Sequence, residues 1–135
     1  MFDTKIAIVV RDDLAVWQKL NVTAFLTSGV TGADSGLLGE DYLDAGGNRY
    51  APLLIQPVIV LSSDAAGLKK IHQRGLERGV PMAIYIDPMF ETGHDAANRQ
   101  TVLERQPDAL DFAGIALRAE KKLVDKITKG ARMHR

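Results

Sequence analysis

The sequence predicts a single three-layer α/β sandwich, with helices on both faces of a mixed, mostly parallel sheet of about four strands. Three observations carry this reading. Four short apolar runs ("KIAIVV", "PVIVLSS", "PMAIYIDP" and "DFAGIAL") are bounded by turn-forming residues. Segments with helix-type starts and stops alternate with them, the pattern of strands sandwiched between helices. At 135 residues, 46% hydrophobic and 25% charged, the chain has the size and composition of one globular domain that buries a core without staples.

The elements follow in order. Residues 5–10 are short, β-branched and followed at once by turn-formers, so they read as a strand buried on both faces. Asp13 is placed as N-cap of a helix over 14–28, closed by Gly29. A glycine-punctuated excursion then covers 30–52, and its "DAGGN" has the composition of a tight hairpin turn. Residues 57–63 form the second strand. Asp64 opens the next helix and Gly79 closes it, the usual asymmetry of helix ends. A third strand over 81–88 is halted by Pro88, and Asp95 caps a short helix. "DFAGIAL" is the fourth strand, and "AEKKLVDKITKG" is a last helix ending at Gly130.

Composition excludes several functions. No apolar run approaches the ~20 residues that span a bilayer, and "MFDTK" lacks a signal-peptide core, so the expectation is a cytoplasmic protein with no membrane partner. With no cysteine there is neither a disulfide framework nor a thiolate site. His72, His94 and His134 have no metal-ligand spacing, and no phosphate-binding glycine motif follows a strand, so neither metal nor cofactor is expected. Net charge is zero but uneven: residues 118–135 hold seven Lys or Arg against two acids. That segment reads as a solvated helix and tail, or as a patch for an anion.

In such sheets ligands bind beyond the carboxyl ends of the strands. Those ends supply Arg11, Asp12 and Asp13, then Ser62 and Ser63, then the residues from Asp87 to Thr92, while the first helix adds Trp17, Lys19 and Asn21. Each has a bland alternative: Asp13 as a cap, Arg11 as an ion-pair partner, Trp17 as core, Lys19 as a solvated lysine, Asp87 as a turn cap. Asn21 lies four residues from both Trp17 and Phe25, so it shares their face. An amide buried there unpaired would cost ~1–3 kcal/mol, so it needs a partner from the backbone or a ligand.

"VVRDDL" resembles the V-V-R-x-D-L opening of the second class of peptidyl-tRNA hydrolases, the type of archaea and eukaryotes. "KLVDKITKG" resembles that family's L-I-D-K-V-T-G segment at Leu123, Asp125, Lys126 and Thr128, and "GVPMAIYIDP" puts Asp87 on its D-A-G-R-T aspartate. The departures are as informative. The family's glutamine and histidine positions hold Ala24 and Thr27, its arginine is missing after Asp87, and its threonine falls on Glu91 or Thr92. "WQKLN", "GEDYLDAGG" and "MFETGHD" instead look like marks of an uncharacterised bacterial sister family. The resemblance implies a peptidyl-tRNA-hydrolase-II-like fold and a homodimer.

The leading functional expectation is a small-ligand enzyme or binding protein. Lys19 would hold an anionic or carbonyl oxygen and Asp87 would act as base or water-orienting acid, with Arg11, Asp13, Trp17, Asn21 and Thr92 binding the ligand. Peptidyl-tRNA cleavage, with tRNA as partner, comes second, supported by the basic C-terminal segment. A non-catalytic interaction module comes third, resting on an excursion expected to expose Leu37, Leu38, Tyr42 and Tyr50. That excursion could also fold over the site as a lid, bringing Asp34, Glu40, Asp41 and Asp44 toward Arg11 and Lys19.

Overall fold

The computed structural model describes residues 2–135. In chain order it contains β1 (Thr4–Arg11), α1 (Val16–Ala33), β2 (Tyr42–Leu43), β3 (Arg49–Tyr50), β4 (Val58–Ser63) and α2 (Ala65–Glu77). There follow β5 (Met82–Ile86), α3 (Asp95–Leu103), β6 (Phe112–Glu120), α4 (Lys121–Ile127) and β7 (Arg132–Met133). A short 3-10 turn, Asp87–Glu91, leads out of β5.

The main sheet has five strands in the order β5-β6-β1-β4-β7, and β2 and β3 form a separate two-stranded hairpin. Only β1 and β4 pair in parallel; β1–β6, β5–β6 and β4–β7 are antiparallel. The mixed sheet agrees with the sequence reading, but "mostly parallel" and "about four strands" do not. The reason lies in two returns. After β5 the chain comes back through α3 to the same edge of the sheet and enters β6 in the opposite direction. After α4, the tail that reads as solvated adds β7, pairing Ser62 with Arg132 and Leu61 with Met133.

The three layers are evident in β1, whose residues alternate faces. Ala7 and Val9 pack into a core with Leu68 and Ile71 of α2 and Val124 and Ile127 of α4. Ile6, Ile8 and Val10 pack into a second core with Val22, Leu26 and Val30 of α1. In β6 the alternation slips by one residue. Tyr85 pairs with Gly114 and Ile86 with Phe112, so Ala113 is the extra residue of a bulge. The slip sends Phe112 and Ile115 to the α2 side and Ala113 and Gly114 to the α1 side.

Helix ends differ from the sequence reading at α1, α3 and α4. The last runs only from Lys121 to Ile127, and it starts late because Ala119 and Glu120 belong to β6, where they pair with Lys5 and Thr4 of β1. The N-cap of α1 is Ala15, whose N–H is received by the Gln18 side chain; Asp13 is drawn away to Arg11. α1 runs past Gly29 to Ala33, because Gly29 serves packing: a Cβ there would lie 2.7 Å from the Ala83 Cβ of β5. α3 is capped by His94, whose ring nitrogen accepts from the Ala97 N–H, and Asp95 is its first residue. Asp64 does cap α2, accepting from the Gly67 N–H at 2.7 Å.

The excursion is an antiparallel arm. Gly39 donates to the Leu53 carbonyl and Ile55 to the Leu37 carbonyl, and Gly47 makes the tip turn at φ +83°, a conformation open mainly to glycine. Leu37 is buried in the α1-side core, against the expectation that it is exposed; Leu38, Tyr42 and Tyr50 are exposed. The arm leaves from the far end of α1, where Asp34 pairs with Arg118, and this is the edge opposite to Arg11. Two of its acids are met locally, Asp41 by Arg49 and Asp44 by Asn48 and Tyr50. None faces Arg11 or Lys19, so the arm is no lid in this conformation.

Candidate functional site

β1, β4 and β5 all point their carboxyl ends to one edge, so Arg11, Ser63 and Asp87 arrive there together, while β6 starts from the same edge. Arg11 is the hub. Its side chain is only 12% exposed, and it donates from Nε to Asp13 Oδ1 at 2.6 Å, from Nη2 to Asp87 Oδ1 at 2.8 Å, and from Nη1 to the Phe112 carbonyl at 3.1 Å. Asp111 lies 3.6 Å from Nη1. Burial alone would lower the arginine's pKa, but the bonds to Asp13 and Asp87 outweigh it and raise the pKa. Arg11 is therefore a fixed cation that locks three chain segments. Asp87, at its border, keeps a partly exposed carboxylate whose Oδ2 takes no hydrogen bond among the described residues.

From this knot an aromatic line runs outward. Trp17 meets Phe90 edge-on at 6.1 Å, Phe90 meets Tyr85 at 5.0 Å, and Tyr85 meets Phe25 at 5.8 Å. Such pairs add about 0.5–1.5 kcal/mol each beyond their buried area. Burial raises the Tyr85 pKa, and the Asn21 amide beside its hydroxyl works against that rise. Asn21 thus finds its partner in a tyrosine on the facing strand.

Beyond Tyr85 the line opens into a groove of about 480 Å³ between α1, β5 and α3. Phe25, Ala83, Tyr85 and Val102 give it an apolar wall, while Asn98 and the Arg99–Asp95 ion pair supply polar groups. Thr92 ties the 3-10 turn to this groove, hydrogen-bonding Asn98 and the Met89 carbonyl. The groove sits where β5 is an edge strand, so only one side of that strand is paired.

Of the residues singled out from sequence, Arg11, Asp13 and Asp87 are in direct contact. Trp17, Asn21 and Thr92 border the adjoining aromatic line and groove. Lys19 is not brought to them. It lies two residues from both Trp17 and Asn21, about 200° round the helix, on the flank it shares with Thr23 and Thr27. It is half-buried, and its ammonium makes no ion pair among the described residues. Tyr85, Asn98 and Asp111 join the site without a sequence signal: the first reads as a core strand residue, and the others lie on segments whose direction the sequence does not show, whereas Phe90 falls in the 87–92 segment already placed at this edge. Among the described residues no group of three His, Asp or Glu is placed to hold a metal ion, and no helix is long and apolar enough to cross a membrane.

Comparison with known proteins gives a family and no activity. No curated protein matches the chain. A solved structure of a protein of unknown function from Agrobacterium tumefaciens strain C58 is 58% identical over the whole length of both chains, with a TM-score of 0.98. Neither it nor the family match carries a link to peptidyl-tRNA hydrolases. Residues 4–135 match the model of a protein family of unknown function, DUF2000, and the chain belongs to that family.

Proposed function

We propose that the protein binds a small molecule in the groove between α1, β5 and α3, reaching past the groove's own lining toward Asp87 at the Arg11 knot. The observation that carries this is the groove itself. Its volume lies within the ~300–1,000 Å³ of ordinary ligand sites, and a mainly apolar wall with a few converging polar groups is their usual composition. The ligand that fits is a compact molecule with an apolar or aromatic body, which the Phe25–Tyr85 wall covers, and a hydroxyl, amine or amide directed at Asn98 or Asp87.

Asp87 is suited to hold and orient: its Oδ1 is committed to Arg11, and its other oxygen takes no hydrogen bond among the described residues. Its free oxygen can accept from a ligand hydroxyl or position a water, the step through which the site could support hydrolysis. Lys19 has no part in this arrangement. A thermal-shift screen with small aromatic acids, amides and nucleosides tests the reading. Hits that stabilise the wild type and fail on Asp87→Asn or Asn98→Ala support it, and hits indifferent to both substitutions sink it.

We also infer that a second copy covers the outer face of α1, as the homodimer implied by the resemblance would. Of the helix's eighteen residues only Lys19 is charged, and Val16, Trp17 and Leu20 are more than 60% exposed. An exposed apolar helix face is ordinarily covered, and an uncharged patch meets its own copy without burying charge.

A further inference from the structure

On the other side of β1 from the groove, the carboxyl edge of the sheet carries a second cavity, of about 680 Å³, between β4, α2 and the turn from α4 to β7. Its character is the opposite of the groove's: it is lined mainly by polar and charged groups. Lys70 and Arg74 reach it from α2, Lys129 from the turn and Arg132 from β7, with Ser62 and Ser63 at the end of β4. Against these four cations stand Asp12 and Asp64, which leaves the cavity with an excess of two positive charges.

The cations are not consumed by the fold. Lys70, Lys129 and Arg132 make no side-chain hydrogen bond or ion pair with any described residue, whereas other basic residues such as Lys5, Arg11 and Arg118 do. Three unpaired, exposed cations around one cavity set up a positive field that an anion would meet. Arg74 does have a structural role, donating to the carbonyls of Ile127 and Lys129 at 3.1 and 2.8 Å, which fixes the turn carrying Lys129 and Arg132. The β4–β7 pairing then sets Arg132 beside Ser62. Of the two acids, Asp64 is already engaged with the Gly67 N–H. The approach here is close: a Cβ at Gly67 would lie 2.0 Å from the Ser63 Oγ, so that hydroxyl would have to turn away.

We propose that this cavity binds a phosphate-bearing small molecule, with the phosphate held by Lys70, Lys129 and Arg132. A phosphate offers the multiple acceptor oxygens and the double charge that three ammonium and guanidinium groups demand. The volume exceeds that of phosphate alone, so an organic body fits with it. This site is separate from the groove and shares no residue with it: at the end of β1, Arg11 is engaged toward β5 and β6, and Asp12 faces β4 and α2.

The test is isothermal titration calorimetry with pyrophosphate at fixed ionic strength, on the wild type, Lys70→Gln and Arg132→Gln. Neither side chain has a partner in the fold, so both variants should keep the wild-type circular dichroism and melting temperature. The expected result is saturable one-to-one binding by the wild type, weakened at least tenfold in each variant. Absence of saturable binding overturns the proposal, as does equal binding by all three proteins. A short single-stranded RNA that binds when pyrophosphate does not also overturns it, because the surface would then follow a nucleic-acid backbone. Loss of groove binding in Asp87→Asn leaves this result untouched, so the two sites fail independently.

Discussion

Arg11 Nη2 and Asp87 Oδ1 stand 2.8 Å apart and join the ends of β1 and β5, two strands that are not neighbours in the sheet. Because β6 lies between them and offers its Phe112 carbonyl to the same guanidinium, one side chain closes the carboxyl edge. Arg11→Met should therefore strip a buried carbonyl of its donor and leave Asp13, Asp87 and Asp111 repelling one another. The expected loss is about 1–3 kcal/mol, set by the orphaned carbonyl more than by the three half-exposed carboxylates, which water screens. Urea denaturation measures it. Arg11→Lys should recover only part, since one ammonium cannot span three partners.

Gly29 sets the distance between α1 and β5. Gly29→Ala gains about 1 kcal/mol of helix propensity, but the new methyl meets the Ala83 Cβ at 2.7 Å, and overpacking of this kind costs about 1–3 kcal/mol. The balance should be a net destabilisation, and Ala83→Gly in the same chain should reverse it. A double-mutant cycle read by chemical denaturation gives the coupling directly.

His72 is buried against Phe112, ring centres 4.6 Å apart, and burial pushes its pKa below the ordinary 6.5. The unfolded chain then binds a proton more readily than the folded one. Stability from this group is present above about pH 6.5 and is lost as pH falls below that value. Melting temperature should fall more steeply between pH 7 and pH 5 in the wild type than in His72→Leu. Lys69 and Asp108 line the same cavity as one cation and one anion, so their fields at the imidazole oppose each other.

At the tip of the arm, Asp44 accepts from the Asn48 side chain, the Tyr50 hydroxyl and the N–H groups of Asn48 and Gly46, and its pKa drops from 3.8 to about 2. An NMR titration of the carboxyl carbon should show this low midpoint. In Asn48→Ala, which removes the largest contribution, the midpoint should return toward 3.8. An unshifted wild-type midpoint would mean that the arm's tip turn does not hold in solution.

If a second copy covers α1, Leu20→Glu places a charge in the centre of that interface. Light scattering should then show a dimer for the wild type and a monomer for the variant, both folded by circular dichroism. A monomeric wild type at high micromolar concentration would remove the dimer and leave the groove intact.

The layers were legible in the sequence and the strand directions were not. The apolar runs mark four of the five sheet strands, because burial on both faces leaves a continuous signal. β7 is two residues long and carries no such signal. β6 reads the same whichever way it runs, so its antiparallel pairing, and with it the arrival of Asp111 beside Arg11, could not be read. At the site, the strand ends Arg11 and Asp87 were legible as an edge cluster. Lys19 falls outside it because residues two apart on a helix face opposite ways, whatever polarity they share with their neighbours. Tyr85 and Asn98 become visible only with the orientation of α3 and the pairing of β5.

Whether the groove between α1, β5 and α3 is the ligand site is decided most directly by amide chemical-shift mapping. The measurement uses a library of small aromatic acids and amides, on the wild type and on Asn98→Ala. Hits should perturb Phe25, Ala83, Tyr85 and Asn98 together, and Asn98→Ala should weaken them about tenfold, ~1.4 kcal/mol, with the rest of the spectrum unchanged. Hits that map to other faces of the domain, or that bind Asn98→Ala as tightly as the wild type, would contradict the assignment.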